Sequence, residues 1–195
     1  MQTPRYRIRW STPTGELLAI EPHRDEVAQH AALLAAAYND PHNAALLGHT
    51  EAMTEADVIA HYAEVSEDGG HNFLVFRNGQ LVADADLRGV ADGAAEFAFM
   101  VAAVAAQGQG LGTKTATMIH AFAFAQLRLD RVYASVVPEN VASRRVLEKL
   151  GCTVDPSPAA RSYADDPGDI VMVIDRPAFE HLHAPQMAEI QIAVR

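Results

Sequence analysis

Three glycines in five residues, Gly108, Gly110 and Gly112, break the chain within the stretch Gln-Gly-Gln-Gly-Leu-Gly-Thr at 107–113. Upstream, residues 97–106 are almost wholly apolar and bounded by turn formers, the pattern of a buried strand. Downstream, Leu111, Met118, Phe122, Ala125 and Leu129 recur on one helical face. A strand that turns into a helix through glycines points several backbone N–H groups at one spot. No Cβ blocks approach, and the positive end of the helix dipole lies beneath. The segment therefore calls for an α/β chain, and the turn suits a phosphate group, although the same glycines would serve a plain structural turn.

Spacing separates three phosphate loops. A nucleotide-triphosphate loop of the form G-x-x-x-x-G-K-[ST] puts Lys114 and Thr115 in register from Gly108, but Thr113 stands where the last glycine belongs. A dinucleotide loop, G-x-G-x-x-G, also meets Thr113 at its final glycine. Its ribose-binding acid would be Asp130, which precedes the next strand instead of ending it. The third pattern, Q-x-x-G-x-G, is met by Gln107, Gly110 and Gly112. It resembles the pyrophosphate loop of the GNAT acetyltransferases. A second stretch, 138–152, has a bland account: Pro138 ends a strand, Asn140 caps a helix, Val146 and Leu150 face the core, and Gly151 stops the helix. It is also similar to the family's N-x-x-S-x-R-x-x-E-K-x-G signature, carried by Asn140, Ser143, Arg145, Glu148, Lys149 and Gly151.

The resemblance spans residues 94–152 most strongly and is closest to the branch with ribosomal-protein N-terminal acetyltransferases. It implies a mixed, mostly antiparallel twisted sheet of six or seven strands with helices on both faces. The family's fourth and fifth strands splay, and acetyl-coenzyme A lies between them. Backbone N–H groups from Gln109 through Gly110, Leu111, Gly112 and Thr113, with Gln107 opening the motif, would hold the diphosphate. Phe99, Met100 and Val101 would pair with the pantetheine arm, and Asn140 and Ser143 would face its sulfur end.

Composition sets outer bounds. A chain of 195 residues, about half hydrophobic, suits one domain over 1–195 with residues 178–195 as a C-terminal extension. A net charge of −10 argues against nucleic acid and fits an amine-bearing partner, though an acidic surface also simply keeps a protein dissolved. One cysteine rules out an internal disulfide and fits a cytoplasmic location. Residues 1–10 lack the apolar stretch of a signal peptide, and no run has membrane-spanning length, so no membrane partner is expected.

Along the chain, the pattern predicts an edge strand at 6–10, a strand at 17–21, a helix at 25–38, a His-containing loop at 41–53 and a helix from Thr54 to about 66. A hairpin turns on Asn78-Gly79. After Cys152 come strands near 153–162 and 170–175 with a polar loop at 161–168. Alternation at 188–194 hints at one more strand, and the tail is a plausible homodimer contact.

The resemblance implies direct attack of an amine on a thioester. Glu96 opens the strand where many relatives carry a base, often acting through water, and an acid at the mouth of an apolar strand has a raised pKa. Solvating a strand end is its plainer role. The N–H of Met100 or Val101 would polarise the carbonyl. The family's usual leaving-group tyrosine falls at Leu147, which leaves Ser143 or water; Tyr38, Tyr133 and Tyr163 are not placed by sequence. Cys152 reads as a small core residue. Asp84 and Asp86 share a strand face, as an ammonium site or as the wet side of a sheet. Asp165, Asp166 and Asp169, with His42, His49 and Glu51, fall where acceptor walls lie in the family. His181 and His183 lack further ligands at metal spacing, so no metal is expected. The expected function is acetyl-CoA-dependent acetylation of a primary amine, either a small molecule or a peptide N-terminus. A catalytically inert acyl-CoA-binding or sensing domain is the alternative, and nucleotide hydrolysis through a degenerate loop is a distant third.

Overall fold

The computed structural model describes residues 4–48 and 51–195. The chain runs β1 (Tyr6–Thr12), β2 (Gly15–Ile20), α1 (Arg24–Tyr38), α2 (Pro41–Leu47), α3 (Glu55–Glu67), β3 (His71–Arg77), β4 (Gln80–Ala91), β5 (Ala94–Val101), α4 (Leu111–Ala125), β6 (Arg131–Val136), α5 (Val141–Leu150), β7 (Thr153–Val154), β8 (Ile170–Asp175), α6 (Arg176–Glu189) and β9 (Gln191–Val194). Short 3-10 turns occupy Val104–Ala106 and Ala160–Tyr163. The strands form one sheet in the order β7-β8-β6-β5-β4-β3-β2-β1-β9. Among the described residues only β5 and β6 are parallel neighbours.

Period-two alternation along β5 sends side chains to two cores. Phe97 packs with α4 in the larger one, whereas Met100 packs with α1 and α3 on the opposite face. The mostly apolar α4 buries every residue from Thr115 to Phe124, because sheet, α5 and α6 surround it. Asn78 and Gly79 both take positive φ, as a two-residue hairpin turn requires.

Five sequence expectations need correction. The strand expected through residue 106 ends at Val101, where the chain bends into a 3-10 turn. Part of the expected loop at 41–53 is the helix α2: the Asp40 carboxylate accepts from the His42 and Asn43 N–H groups at 2.9 and 3.3 Å, Pro41 opens the helix, and Gly48 (φ 70°) closes it. The strand after Cys152 shrinks to Thr153–Val154. Residues 176–189 form a helix whose pattern is blurred by Pro185 and by a kink at His183. The chain then returns as β9 against β1, so the strand at Tyr6–Thr12 is not an edge, and the count rises from six or seven to nine.

Candidate active site

The parallel pairing of β5 with β6 lasts for three residues, Ala94, Ala95 and Glu96 against Arg131, Val132 and Tyr133. Beyond Glu96 the strands part, and a cleft of about 380 Å³ opens between them. Its walls include Phe97 to Val101 on β5, Ala134 to Val136 on β6, Ser143 and Leu147 on α5, and Leu46 and Leu47 on α2. The Ala102 N–H donates to Val82 O at 2.9 Å, toward β4. By strand alternation the Phe99 and Val101 amides therefore face the gap, without strand partners on that side.

The glycine turn lies at one end of this cleft. Gly108 (φ 74°) and Gly110 (φ 77°) adopt the left-handed region, and a methyl group at either would meet nothing within 4 Å. Gly110 is the N-cap of α4, so no side chain caps the N–H groups of Leu111, Gly112 and Thr113, and no acid sits in the first turn. At Gly112 a Cβ would lie 3.0 Å from the Phe99 ring and 3.3 Å from Val146, so this glycine lets the helix close onto the strand. Arg145 and Lys149 line the same cleft from α5. The assembly suits a diphosphate: free amides, a helix N-terminus and two cations.

The side chains of the motif divide their tasks. Gln107 turns away from the turn: its Nε2 donates to Asn43 Oδ1 at 2.8 Å and to Val101 O at 3.3 Å, and His42 Nε2 lies 3.2 Å from its Oε1. Gln109 accepts from Arg77 Nη1 at 3.4 Å, and Leu111 is buried in the core. Asn140 Oδ1 caps α5 through the Ser143 N–H at 2.9 Å, while its Nδ2 donates to Leu46 O at 2.8 Å. Neither link of Gln107 or Asn140 to α2 was legible in the sequence, where α2 itself was missing.

A polar cluster flanks the cleft on the α1/α3 face. Arg88, opposite Glu96 in the β4–β5 register, donates to Glu96 Oε1 at 2.6 Å and to Asp165 at 3.3 Å. Burial pushes the Glu96 carboxyl up to about 7, Arg88 pulls it down, and Asp165 adds to the rise. Asp84 and Asp86 are buried, which corrects the wet-face reading. Asp84 accepts from Tyr38 Oη at 2.7 Å and Tyr62 Oη at 3.4 Å; burial lifts it to about 7 as well. Asp86 meets His61 Nε2 at 3.1 Å. Asp165, Asp166 and Asp169 line the cleft, and Ser135 Oγ pins their loop by accepting from the Asp165 N–H at 3.0 Å and donating to Asp169 at 2.7 Å. Arg88, Ser135 and His61 escaped the sequence reading. His49 lies outside the described residues, and Glu51 is exposed.

Residues 18–153 match the model of the acetyltransferase (GNAT) domain. The chain belongs to the GNAT acetyltransferase family. A search of curated protein sequences returned no match. Among solved structures it is similar to Mycobacterium smegmatis RimJ in complex with CoA-disulfide, at 17% identity and TM-score 0.69 over 96% of this chain and 97% of that one. It is also similar to the aminoglycoside acetyltransferase AAC(6')-Ib in complex with coenzyme A, at 21% identity and TM-score 0.68 over 85% and 98%. A third is the ribosomal-protein-S5-alanine acetyltransferase from Vibrio fischeri, at 14% identity and TM-score 0.65 over 86% and 96%.

The GNAT assignment gives the cleft its ligand class. The fold is the family's acetyl-CoA-binding fold, and the residues present fit that cofactor: two outward amides on β5, an uncapped helix start, open space over Gly108 and Gly110, and Arg145 with Lys149. This acetyltransferase departs from the common pattern at Leu147, which lines the cleft where a tyrosine would stand; among the described residues no tyrosine lines it.

Proposed function

We propose that this protein is an acetyl-CoA-dependent N-acetyltransferase acting on a primary amine, either a small polar amine or a peptide N-terminus. The observation that carries the reading is the juxtaposition of a parted strand pair, with outward amides at Phe99 and Val101, and a half-buried carboxyl at Glu96, the last paired residue before the gap, which burial lifts to about 7. Acetyl-coenzyme A, when bound, supplies an acetyl thioester. Glu96 takes a proton from the acceptor ammonium, directly or through water, which frees the nitrogen lone pair for attack. The Val101 N–H polarises the carbonyl as the C–N bond forms and the C–S bond breaks. Ser143 Oγ or water returns a proton to the sulfur.

The acidic loop with Asp165, Asp166 and Asp169 forms the acceptor side of the cleft. Asp84 and Asp86 serve as acids behind that wall, with Asp86 already met by His61 Nε2 at 3.1 Å and by Arg88 Nε at 3.5 Å. The test is coenzyme A release from acetyl-CoA across a panel of amines. Glu96→Gln is expected to lower kcat by about 10²-fold or more, and Ser143→Ala by less. Release unchanged from background on every acceptor, with acetyl-CoA still bound in calorimetry, would instead favour an inert acyl-CoA-binding domain, the reading suggested by Leu147 in the tyrosine position.

A further inference from the structure

Arg88 has no part in the diphosphate site or in the proton transfers assigned above, yet three carboxylates converge on it. Its Nη2 reaches Glu96 Oε1 at 2.6 Å and both oxygens of Asp165 at 3.3 Å, and its Nε lies 3.5 Å from Asp86 Oδ1. The residue sits where the β4–β5 register shifts, between Arg88 and Ala91. Such a bulge bends a strand and re-aims the side chain beside it. Asp165 belongs to the loop that Ser135 pins to β6, so one guanidinium links β4, β5 and the acceptor side of the cleft.

We propose that Arg88 is a positioning residue for acetyl transfer: its guanidinium fixes the Glu96 carboxyl beside the cleft and, through Asp165, draws the acceptor loop onto that same carboxyl. The inference rests on the reading of Glu96 as the base. Nη2 serves Glu96 and Asp165 while Nε of the same rigid plane faces Asp86, whereas a lysine ammonium supplies the charge from one freely rotating nitrogen. The charged and titratable groups around Glu96 are Arg88 and Asp86 on β4, His61 on α3 behind Asp86, Asp84 with its tyrosine partners Tyr38 and Tyr62, Tyr133 across on β6, and Asp165 on the loop. Arg88 is the cation in direct contact, and it opposes the upward push of burial. Without it Glu96 titrates higher still, so less of it is ionised at neutral pH.

The experiment combines pH profiles with a 13C NMR titration of the Glu96 carboxyl, identified by its loss in Glu96→Gln. In Arg88→Gln, the Glu96 midpoint and the acid limb of kcat/KM are expected to rise together by about one pH unit or more. Arg88→Lys should return most of that limb while leaving the acceptor KM several-fold high. Asp165→Asn should raise the acceptor KM without moving the limb upward. A folded Arg88→Gln that binds acetyl-CoA normally, with an unmoved Glu96 midpoint and an unmoved acceptor KM, overturns the proposal. If Arg88→Gln does not fold, Asp165→Asn and Arg88→Lys decide: a wild-type acceptor KM in both overturns it. Full activity in Glu96→Gln would remove the base assignment, and the NMR midpoint, which needs no turnover, would still report on the clamp.

Discussion

At the scale of single residues, the informative side chains are those held in protonation states they would not keep in water. His120 on α4 is 1% exposed, packed among Phe97, Phe124 and Phe179, with Nδ1 bonded to Ala116 O at 2.8 Å and no partner at Nε2. Burial lowers it to about 4. Its folded pKa lies below the unfolded value, so the neutral ring contributes stability that is complete above about pH 6.5 and is lost as pH falls toward 4. His120→Phe is expected to recover on the order of 1–2 kcal/mol of the stability that wild type loses between pH 6.5 and 5, read by urea unfolding at both pH values. Glu96 and Asp84 behave oppositely. Their raised values mean that their share of stability is present below the ordinary carboxylate range and fades as pH rises through about 7. The glycine positions were legible in the sequence because left-handed φ and close helix contact leave few alternatives. Arg88 was not, because its role depends on a cross-strand pairing at a register shift.

At the scale of elements, the apolar strand before the glycine turn, the hairpin at Asn78-Gly79, α4 and α5 were readable from period, turn residues and caps, and the signatures located the diphosphate turn and the α5 start. The helix α2 was hidden because seven residues are too few to show a period and because its role is tertiary: Asn43 reaches Gln107, and Leu46 O accepts from Asn140. The first residue of the glycine motif and the cap of α5 therefore hold the roof of the cleft. Gln107→Ala leaves buried Asn43 Oδ1 without its donor, at a cost of about 1–2 kcal/mol. Amide exchange measured by mass spectrometry should quicken across 41–47 while β3 and β4 stay protected; unchanged protection in α2 would show that the roof is held by packing alone.

At the scale of the whole molecule, the two ends of the chain meet. Arg195 N–H donates to Arg5 O at 2.8 Å, Arg195 pairs with Glu26 at 2.6 Å, and Trp10 Nε1 donates to Glu189 at 2.9 Å. No short-range pattern reveals such closure, since the partners are separated by nearly the whole sequence. Deleting residues 190–195 uncovers the β1 backbone, and the truncated protein should lose a few kcal/mol of unfolding free energy and self-associate with rising concentration in sedimentation runs. A truncated form as stable and monodisperse as the full chain would relegate β9 to decoration.

The brevity of the β5–β6 seam has a mechanical consequence. Within the sheet, a leaf of three strands is stitched to a leaf of six by only three residue pairs, and the rest of the joint is left for a molecule that the chain does not encode. The core under α4 spans both leaves, so what the donor would complete is the backbone seam between them. A donor that binds the folded protein there should raise its resistance to heat with the logarithm of donor concentration.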